Sequence, residues 1–524
     1  MNQWRVCGIG LTLLVLVVGL GDVAAQTVRP ASPLPGQSPR TQQRLQRQAR
    51  QLQPTGLQGA PTLVTRPVEL ADSGRVFGLT DLLTYVTLRH PLARQAGLLP
   101  ERALQEVRLA RGQFDPAATS KYYGKQFGGK DYFHDWDTQL RVPLWFGADV
   151  KAGFERGVGT YINPENYTAP VGLSYVGISV PLAQGLLIDE RRAAVRQAQA
   201  LQGLAEAERR GVLNKLLLQA AKDYWDWTLS YQRQELLRQN ADLAAVRFRA
   251  VRERVRFGDL AAIDSVEALT ELQNRQALLV QAQVQWQNAT LQLSNYLWDE
   301  QQQPRELPND VRPQGLPSPA DWLSLPPDSL AALSELAQQQ HPDLQKSRAK
   351  LVQLGVERRL LGNKLLPKLT LDYNLLQAGQ PFSPETGANF SGAYLQNNYK
   401  LGVSFAYPLL LRQERAKLQL NRLKLRDIEL GLQQDTRAIQ TGVRAVANDW
   451  EALRAQLALQ EQVVLNAERL RKGEQIRFEN GESSVFLLNT REASLVTARV
   501  KLAELQAKYA QTQATLRWAA GGVE

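Results

Sequence analysis

The chain states one long pattern twice, and a repeat of this size constrains architecture before any local propensity does. His90-Pro91 returns as His341-Pro342 at an offset of 251, and Pro116 returns as Pro367 at the same offset. Farther along, Arg256-Phe257-Gly258 is echoed by Arg477-Phe478 and then Gly481. Leu272, Leu279, Trp286 and Leu293 correspond to Leu495, Leu502, Tyr509 and Leu516, all at an offset of 223 and all stepping by seven. The copies are expected over residues 76–300 and 329–520. Residues 301–328 hold seven prolines and form a connector that packs around the copies rather than a separate domain.

Each copy begins with a helix running into His-Pro. Proline suits the first turn of the next helix, because its missing N–H would be unpaired there anyway. Those second helices are expected from Pro91 to about Gln113 and from Pro342 to about Lys364, ending where Pro116 and Pro367 push the preceding residue out of the helical region. The period then changes to two. Trp136, Thr138, Leu140 and Val142 alternate with Asp137, Gln139 and Arg141; in the second copy Leu369, Leu371, Tyr373 and Leu375 alternate with Thr370, Asp372 and Asn374. Strands with one apolar and one polar face fit a membrane barrel, and equally a half-buried soluble sheet. They are expected over about 116–181 and 367–408.

Long polar-rich helices follow, from about Ala183 to Arg254 and from about Leu411 to Arg477. Ile439, Val443, Val446, Trp450, Leu453 and Leu457 step by 4-3-4-3-4, the seam of a coiled coil. Each long helix meets a Phe and Gly turn, near 257 and near 478, and returns as a second helix, Leu260 to Leu297 and Ser484 to Trp518.

Composition bounds where such a chain can work. Met1 to Ala25 has the form of a secretory signal: Arg5, an apolar run from Ile9 to Leu20, and Val23-Ala24-Ala25 before the cut. Residues 26–75, rich in Pro, Gln and Arg, are expected to form a flexible tail. The only cysteine, Cys7, would leave with the signal. No later segment is apolar for the roughly 20 residues a membrane helix needs, so membrane insertion could occur only as a closed β-barrel. The formal charge of +11 is interleaved with Asp and Glu along helices, which marks solvated surface rather than a nucleic-acid footprint.

In this order, twice over, these features resemble the TolC family of outer-membrane efflux proteins. The residues carrying the resemblance are Asp81 to Pro91, Val180-Pro181-Leu182, Arg256 to Asp264, Leu333 to Pro342, Tyr407-Pro408-Leu409 and Arg477 to Leu488. The resemblance implies a mainly α chain with membrane β. It implies a homotrimer with a shared barrel in the lipid of the outer membrane. A long coiled-coil helical barrel would extend through the periplasm toward an adaptor (membrane fusion protein) and an inner-membrane pump, the whole serving as a passive duct for efflux or type I secretion. Arg256, Phe257, Gly258, Asp259, Arg477, Phe478, Gly481, Ser483 and Ser484 would form the adaptor-docking or gating tips. A periplasmic coiled-coil adaptor and a structural scaffold are the alternatives. The first would carry one hairpin flanked by small β domains, and the second would lack alternating strands.

Two departures stand out. Pro91 to Pro181 spans 90 residues and Pro342 to Pro408 spans 66, an excess of 24 in the first copy. Either the excess is an embellishment, leaving four strands per chain and twelve in a trimer, or it adds a hairpin, giving six per chain and eighteen in the ring. Pro143 inside the extra stretch tips the balance to twelve, since proline cannot donate to a ladder. The tips also differ. Gly481 is followed by Ser483 and Ser484, whereas Gly258 is followed by Ala261 and Ala262, and Glu479 and Asn480 are extra in the second copy. Ion pairs from Asp259, Asp264, Glu479 and Glu482 to Arg256 and Arg477 are conceivable there.

Catalysis has little support. His90 and His341 hold equivalent places before proline, as structural residues do, and His134 has no motif around it. Gly128-Gly129-Lys130 lacks the strand, loop and helix of a phosphate site. The expectation is a non-enzymatic protein without cofactor or metal.

Overall fold

The computed structural model describes residues 76–308, 310–322, 324–379 and 398–522. The signal expected at 1–25 and the tail at 26–75 lie outside them. In chain order the elements are β1 (Val76–Phe77), α1 (Leu79–Arg89), α2 (Pro91–Arg111), β2 (Ala117–Phe127), β3 (Lys130–Pro143), β4 (Asp149–Val158), β5 (Leu173–Pro181), α3 (Glu190–Arg256) and α4 (Ala262–Ser294). There follow β6 (Arg312–Pro313), α5 (Pro327–Gln340), α6 (Pro342–Asn363), β7 (Lys368–Ala378), β8 (Tyr399–Ala406), α7 (Arg412–Glu479) and α8 (Val485–Ala519).

The helix beginnings follow local chemistry. Asp81, in the first turn of α1, accepts the Gly78 N–H at 3.1 Å, so it acts back on the residue before the helix rather than capping from within. α3 starts at Glu190 and not near Ala183, because Gly185 (φ +95°) breaks the helical path and Asp189 caps it, accepting the Arg192 N–H at 2.9 Å. α3 and α7 have 67 and 68 residues, about 100 Å each at 1.5 Å per residue.

Two apolar cores hold the helices. Leu82, Val86, Leu217, Tyr224, Trp227, Leu293 and Leu297 form one. Val443, Trp450, Leu453, Leu457, Tyr509 and Leu516 form the other, with Ile439 and Val446 packed against it, so the heptad seam of α7 is the buried stripe. The proline-rich connector lies across both. β6 pairs in parallel with β1, and the Tyr224 hydroxyl donates to the Phe77 carbonyl at 2.9 Å and accepts from the Gln314 N–H at 3.2 Å. Glu451 accepts the Leu325 N–H at 2.8 Å. That carboxyl is held below its ordinary range by this bond and by Arg454.

The strands make one six-stranded antiparallel sheet in the order β2-β3-β4-β5-β7-β8. The favoured expectation of four strands is therefore corrected: the 24 extra residues supply a further hairpin. The Pro143 argument fails because Pro143 is the last residue of β3, opposite Asp149, where a missing donor leaves the interior of the ladder intact. The β2–β3 turn is only Gly128-Gly129, both at positive φ (+60° and +75°), which two-residue hairpin turns require.

Register sorts the side chains between two faces, with Arg156 and His134 as charged or polar exceptions on the apolar one, toward the ends of β4 and β3 far from the helices. Paired residues share a face. One face carries Trp136, Leu140 and Val142; Val150, Ala152 and Phe154; Val176, Ile178 and Val180; Leu371 and Leu375; and Leu401, Val403 and Phe405. The other carries charges in pairs: Arg141 with Asp149, Lys151 with Asp372 at 2.9 Å, and Lys400 with Glu155 at 3.9 Å.

His90 and His341 are joints between helices. The Nδ1 atom of each accepts a backbone N–H, from Leu92 at 3.2 Å and from Asp343 at 3.3 Å. Both rings are buried, His90 against Tyr296 and Trp298 and His341 against Trp518. Burial lowers both pKa values from 6.5, which keeps the rings neutral and Nδ1 free to accept. The unfolded chain takes up a proton on each ring as pH falls through 6.5, while the folded chain resists until a lower pH. Their stability contribution is therefore full above that pH and is lost as pH falls toward the lowered folded value. Thermal unfolding of the detergent-solubilised protein should show an apparent Tm that drops between about pH 7 and 5, at most about 1.4 kcal/mol per pH unit per ring. Replacing both by Asn, which caps without titrating, should flatten that slope.

Candidate functional site

The far ends of the four long helices form the candidate site. The two tips are built alike at the backbone. At the first, the Asp259 N–H donates to the Arg254 carbonyl at 2.9 Å and the Gly258 N–H to Val255 at 3.0 Å; at the second, Glu482 donates to Arg477 at 2.8 Å and Gly481 to Phe478 at 3.1 Å. This pair of bonds closes a helix over a left-handed residue. Gly258 (φ +84°) and Gly481 (φ +80°) are those residues, and a side chain would strain both.

Aligned on the glycines, Arg254 stands where Arg477 does and Val255 where Phe478 does. The two Arg-Phe dipeptides are therefore not equivalent. Phe257 is 77% exposed at the apex. Phe478 is half-buried, packed with Val251, Val255, Leu260, Ala268 and Val485, with the Arg254 guanidinium 5.6 Å from its ring centre. Asp259 lies in the turn beyond Gly258, between α3 and α4.

The ion pairs conceived across the turns give way to others. Arg256 meets Glu253 at 3.6 Å and Arg477 meets Glu474 at 3.8 Å, partners one helical turn back on the same helix. Helical i,i+3 geometry brings those groups together without ordering a loop. Glu474 is buried and also accepts the Ser483 hydroxyl at 2.5 Å. Ser484 caps α8, accepting the Leu487 N–H at 3.3 Å, whereas Ala261 gives α4 no side-chain cap. The second tip is thus tied more firmly than the first.

Two features escaped the sequence reading. The tips expose further large apolar side chains beside Phe257: Ile263 (69%), Phe486 (61%) and Ile476 (59%). Behind them lies a buried ionic junction between the hairpins. Glu492 of α8 accepts Arg247 of α3 in a two-pronged pair, and accepts Arg275 of α4 at 2.9 Å. Asn240 and Asn489 complete it, accepting Arg275 at 2.9 Å and Arg247 at 3.1 Å. Burial alone would raise the Glu492 carboxyl, but its bonds and charge contacts with Arg247 and then Arg275 hold it below its usual range. A signal existed: Glu492 interrupts the stripe Val485, Leu488, Leu495, and Arg275 lies seven residues from Ala268 and from Ala282.

Among the described residues no group of His, Asp and Glu could hold a metal ion, and no helix is long and apolar enough to cross a membrane.

This architecture has relatives. The family model of the outer membrane efflux protein matches residues 152–297 and 333–522. The chain belongs to that family. It is accordingly an outer-membrane efflux channel with a helical extension on the periplasmic side, and members of this family are transport ducts rather than catalysts. Solved structures agree on the fold. The open state of the MtrE outer membrane channel of Neisseria gonorrhoeae is 16% identical, with a TM-score of 0.62, over 85% of this chain and 89% of its own. The outer membrane protein VceC of Vibrio cholerae is 15% identical, with a TM-score of 0.60, over 85% and 96%. The CmeC outer membrane channel of Campylobacter jejuni is 13% identical, with a TM-score of 0.58, over 84% and 85%. A search of curated proteins found no match.

Two outcomes are expected of this channel's tips. Glu492→Ala leaves Arg247 and Arg275 buried without their carboxylate and should cost about 3–5 kcal/mol. Limited proteolysis should then cut near the tips while the sheet stays protected, and the triple change Arg247→Met, Arg275→Met, Glu492→Leu should restore protection. Phe478→Ala should lower local stability by about 1–2 kcal/mol as a half-buried ring. Phe257→Ala should stay within about 0.5 kcal/mol of the parent. Hydrogen exchange at the tips measures both.

Proposed function

We propose that three copies of the chain assemble into one continuous passive duct. In this reading it is the outer-membrane component of a tripartite efflux or type I secretion system, receiving cargo from a periplasmic adaptor and an inner-membrane pump. The observation that carries the reading is the six-stranded sheet, apolar on one face and ion-paired on the other, standing at the end of about 100 Å of helix. Among the described residues its edge strands β2 and β8 have unpaired backbone groups, which lipid does not tolerate, so the sheet needs further copies to close. The helices support the same conclusion. Val280, Val284 and Leu291 on α4 and Leu459, Val463 and Leu470 on α7 are exposed at steps of four and seven, seams without a partner among the described residues of one copy. The number three comes from the family resemblance.

In this arrangement the apolar face meets lipid and the charged face lines the water-filled bore. The tips lie at the pump end. Phe257, Ile263, Ile476 and Phe486 offer an apolar surface of the kind that marks protein contacts. The junction at Glu492 fastens one hairpin to the other just behind it, and opening the entrance would require that fastening to move or rotate as a unit.

Detergent-solubilised protein should have about three times the mass of one chain. Phe257→Ala combined with Phe486→Ala should abolish export and recovery of the adaptor by co-purification, while the trimer and its membrane insertion persist. Full export by that variant would remove the docking role from the tips, and a stable water-soluble monomer would remove the duct.

A further inference from the structure

We propose that β2 of one copy pairs with β8 of the next, so that all six strands of each copy stand in the membrane wall and three copies close an eighteen-stranded barrel. The proposal rests on the trimeric duct proposed above, and departs from the twelve strands that the resemblance implies.

The extra hairpin is built as wall and not as a flap. β3 continues the apolar face of β4, pairing Val142 with Val150 and Leu140 with Ala152; farther from the helices Thr138 lies opposite Phe154 and Trp136 opposite Arg156, with Trp136 packed edge-on against Phe154 at 6.0 Å. It also continues the charged face, where the Tyr175 hydroxyl on β5 reaches across β4 to Asp137 at 3.3 Å. The β3–β4 turn is seated on the helices. Asp149 binds Arg141 of β3 and, at 2.8 Å, Arg191 of α3; Trp145 lies 5.2 Å from Phe114; Ala148 is wholly buried. Peeling β3 away would break the ladder of ten paired positions to β4 and leave Asp149 short of a partner.

The two free edges fit one another. β2 leaves the helical end and β8 returns to it, so neighbouring copies would join them antiparallel, like every other pair in the sheet. The register that levels their helix-side ends sets Ala117 opposite Ala406, and therefore Ser120 opposite Val403 and Tyr122 opposite Leu401. It places Ser120 and Tyr122, which share a face with Thr138 and Trp136, beside the apolar residues of β8. The parity is correct without a bulge. Shifting by one residue would turn every side chain to the wrong face. A second copy is thus the occupant that the direction and parity of both edges specify.

With strands about 4.8 Å apart and tilted about 40°, eighteen strands enclose a ring about 36 Å across the backbone, against about 24 Å for twelve. The outer mouth would be the wider one, and cargo size would then be set at the tips.

Disulfide trapping decides it, because Cys7 is the only native cysteine and can be replaced by Ala. Directly opposed strand residues lie close enough for a bridge. Ser120→Cys with Val403→Cys, oxidised in outer membranes, should convert the monomer band to covalent dimer and trimer on a non-reducing gel after boiling. Ala118→Cys or Tyr122→Cys with Val403→Cys covers a register two residues away. In the twelve-stranded alternative β4 is the edge, so Ala152→Cys with Val403→Cys should bridge instead. Bridging by that pair alone, or by none of them while the unboiled trimer persists, overturns the eighteen-stranded wall and leaves the duct standing. A cysteine-free parent that runs as a monomer without boiling overturns both.

Discussion

A backbone amide in hydrocarbon has no water to bond, so every N–H and C=O of a membrane strand must find another strand. Most of what is unusual in this protein follows from that requirement. The sheet is open at β2 and β8, and one of its faces is apolar. In the proposed duct, copies of the chain complete such a sheet. The helical end repeats the logic in water. There the force is burial of apolar seams, and in the proposed duct neighbouring copies would cover the seams exposed on α4 and α7.

Between sheet and helices lies a rigid junction. Asp149 binds Arg141 and Arg191, and Asp189 binds Arg191 at 3.2 Å and Arg192 at 2.9 Å. Burial works against the Asp189 carboxyl, yet the Arg192 backbone and side chain hold it below its ordinary range, so that carboxylate stays charged. Isolated surface ion pairs stabilise little, but these are partly buried and shared among several elements. The junction fixes where the strands leave the tube, and the buried junction at Glu492 does the same at the other end. Both ends are fixed by charge, whereas the long middle is held by heptad packing, which tolerates small rotations.

The two tips show how a repeat diverges around a fixed backbone. The same pair of hydrogen bonds over a left-handed glycine closes each. What stands on that frame differs. One tip presents Phe257 to solvent and has no side-chain cap for its return helix; the other half-buries Phe478, binds Ser483 to Glu474 and caps with Ser484.

Much of this was legible from residues alone. Heptad spacing from Ile439 to Leu457 marked a buried stripe, because only a helix brings those positions together, and His-Pro marked the helix joints, because proline tolerates the first turn and little else. Alternation marked the strands but did not count them. Pro143 argued against a sixth strand, and only its place at the last rung of β3 made it harmless. The Arg-Phe dipeptides looked equivalent in sequence, but helix closure aligns the chain on glycine, so Phe257 and Phe478 fall on different sides of the helix. The Glu492 junction joins residues more than two hundred positions apart, a distance over which spacing carries no information. Sequence determined what is periodic, since periodicity is local. Tertiary structure decided which charges meet, which phenylalanine is shielded and how many strands the sheet has, since those depend on which elements become neighbours.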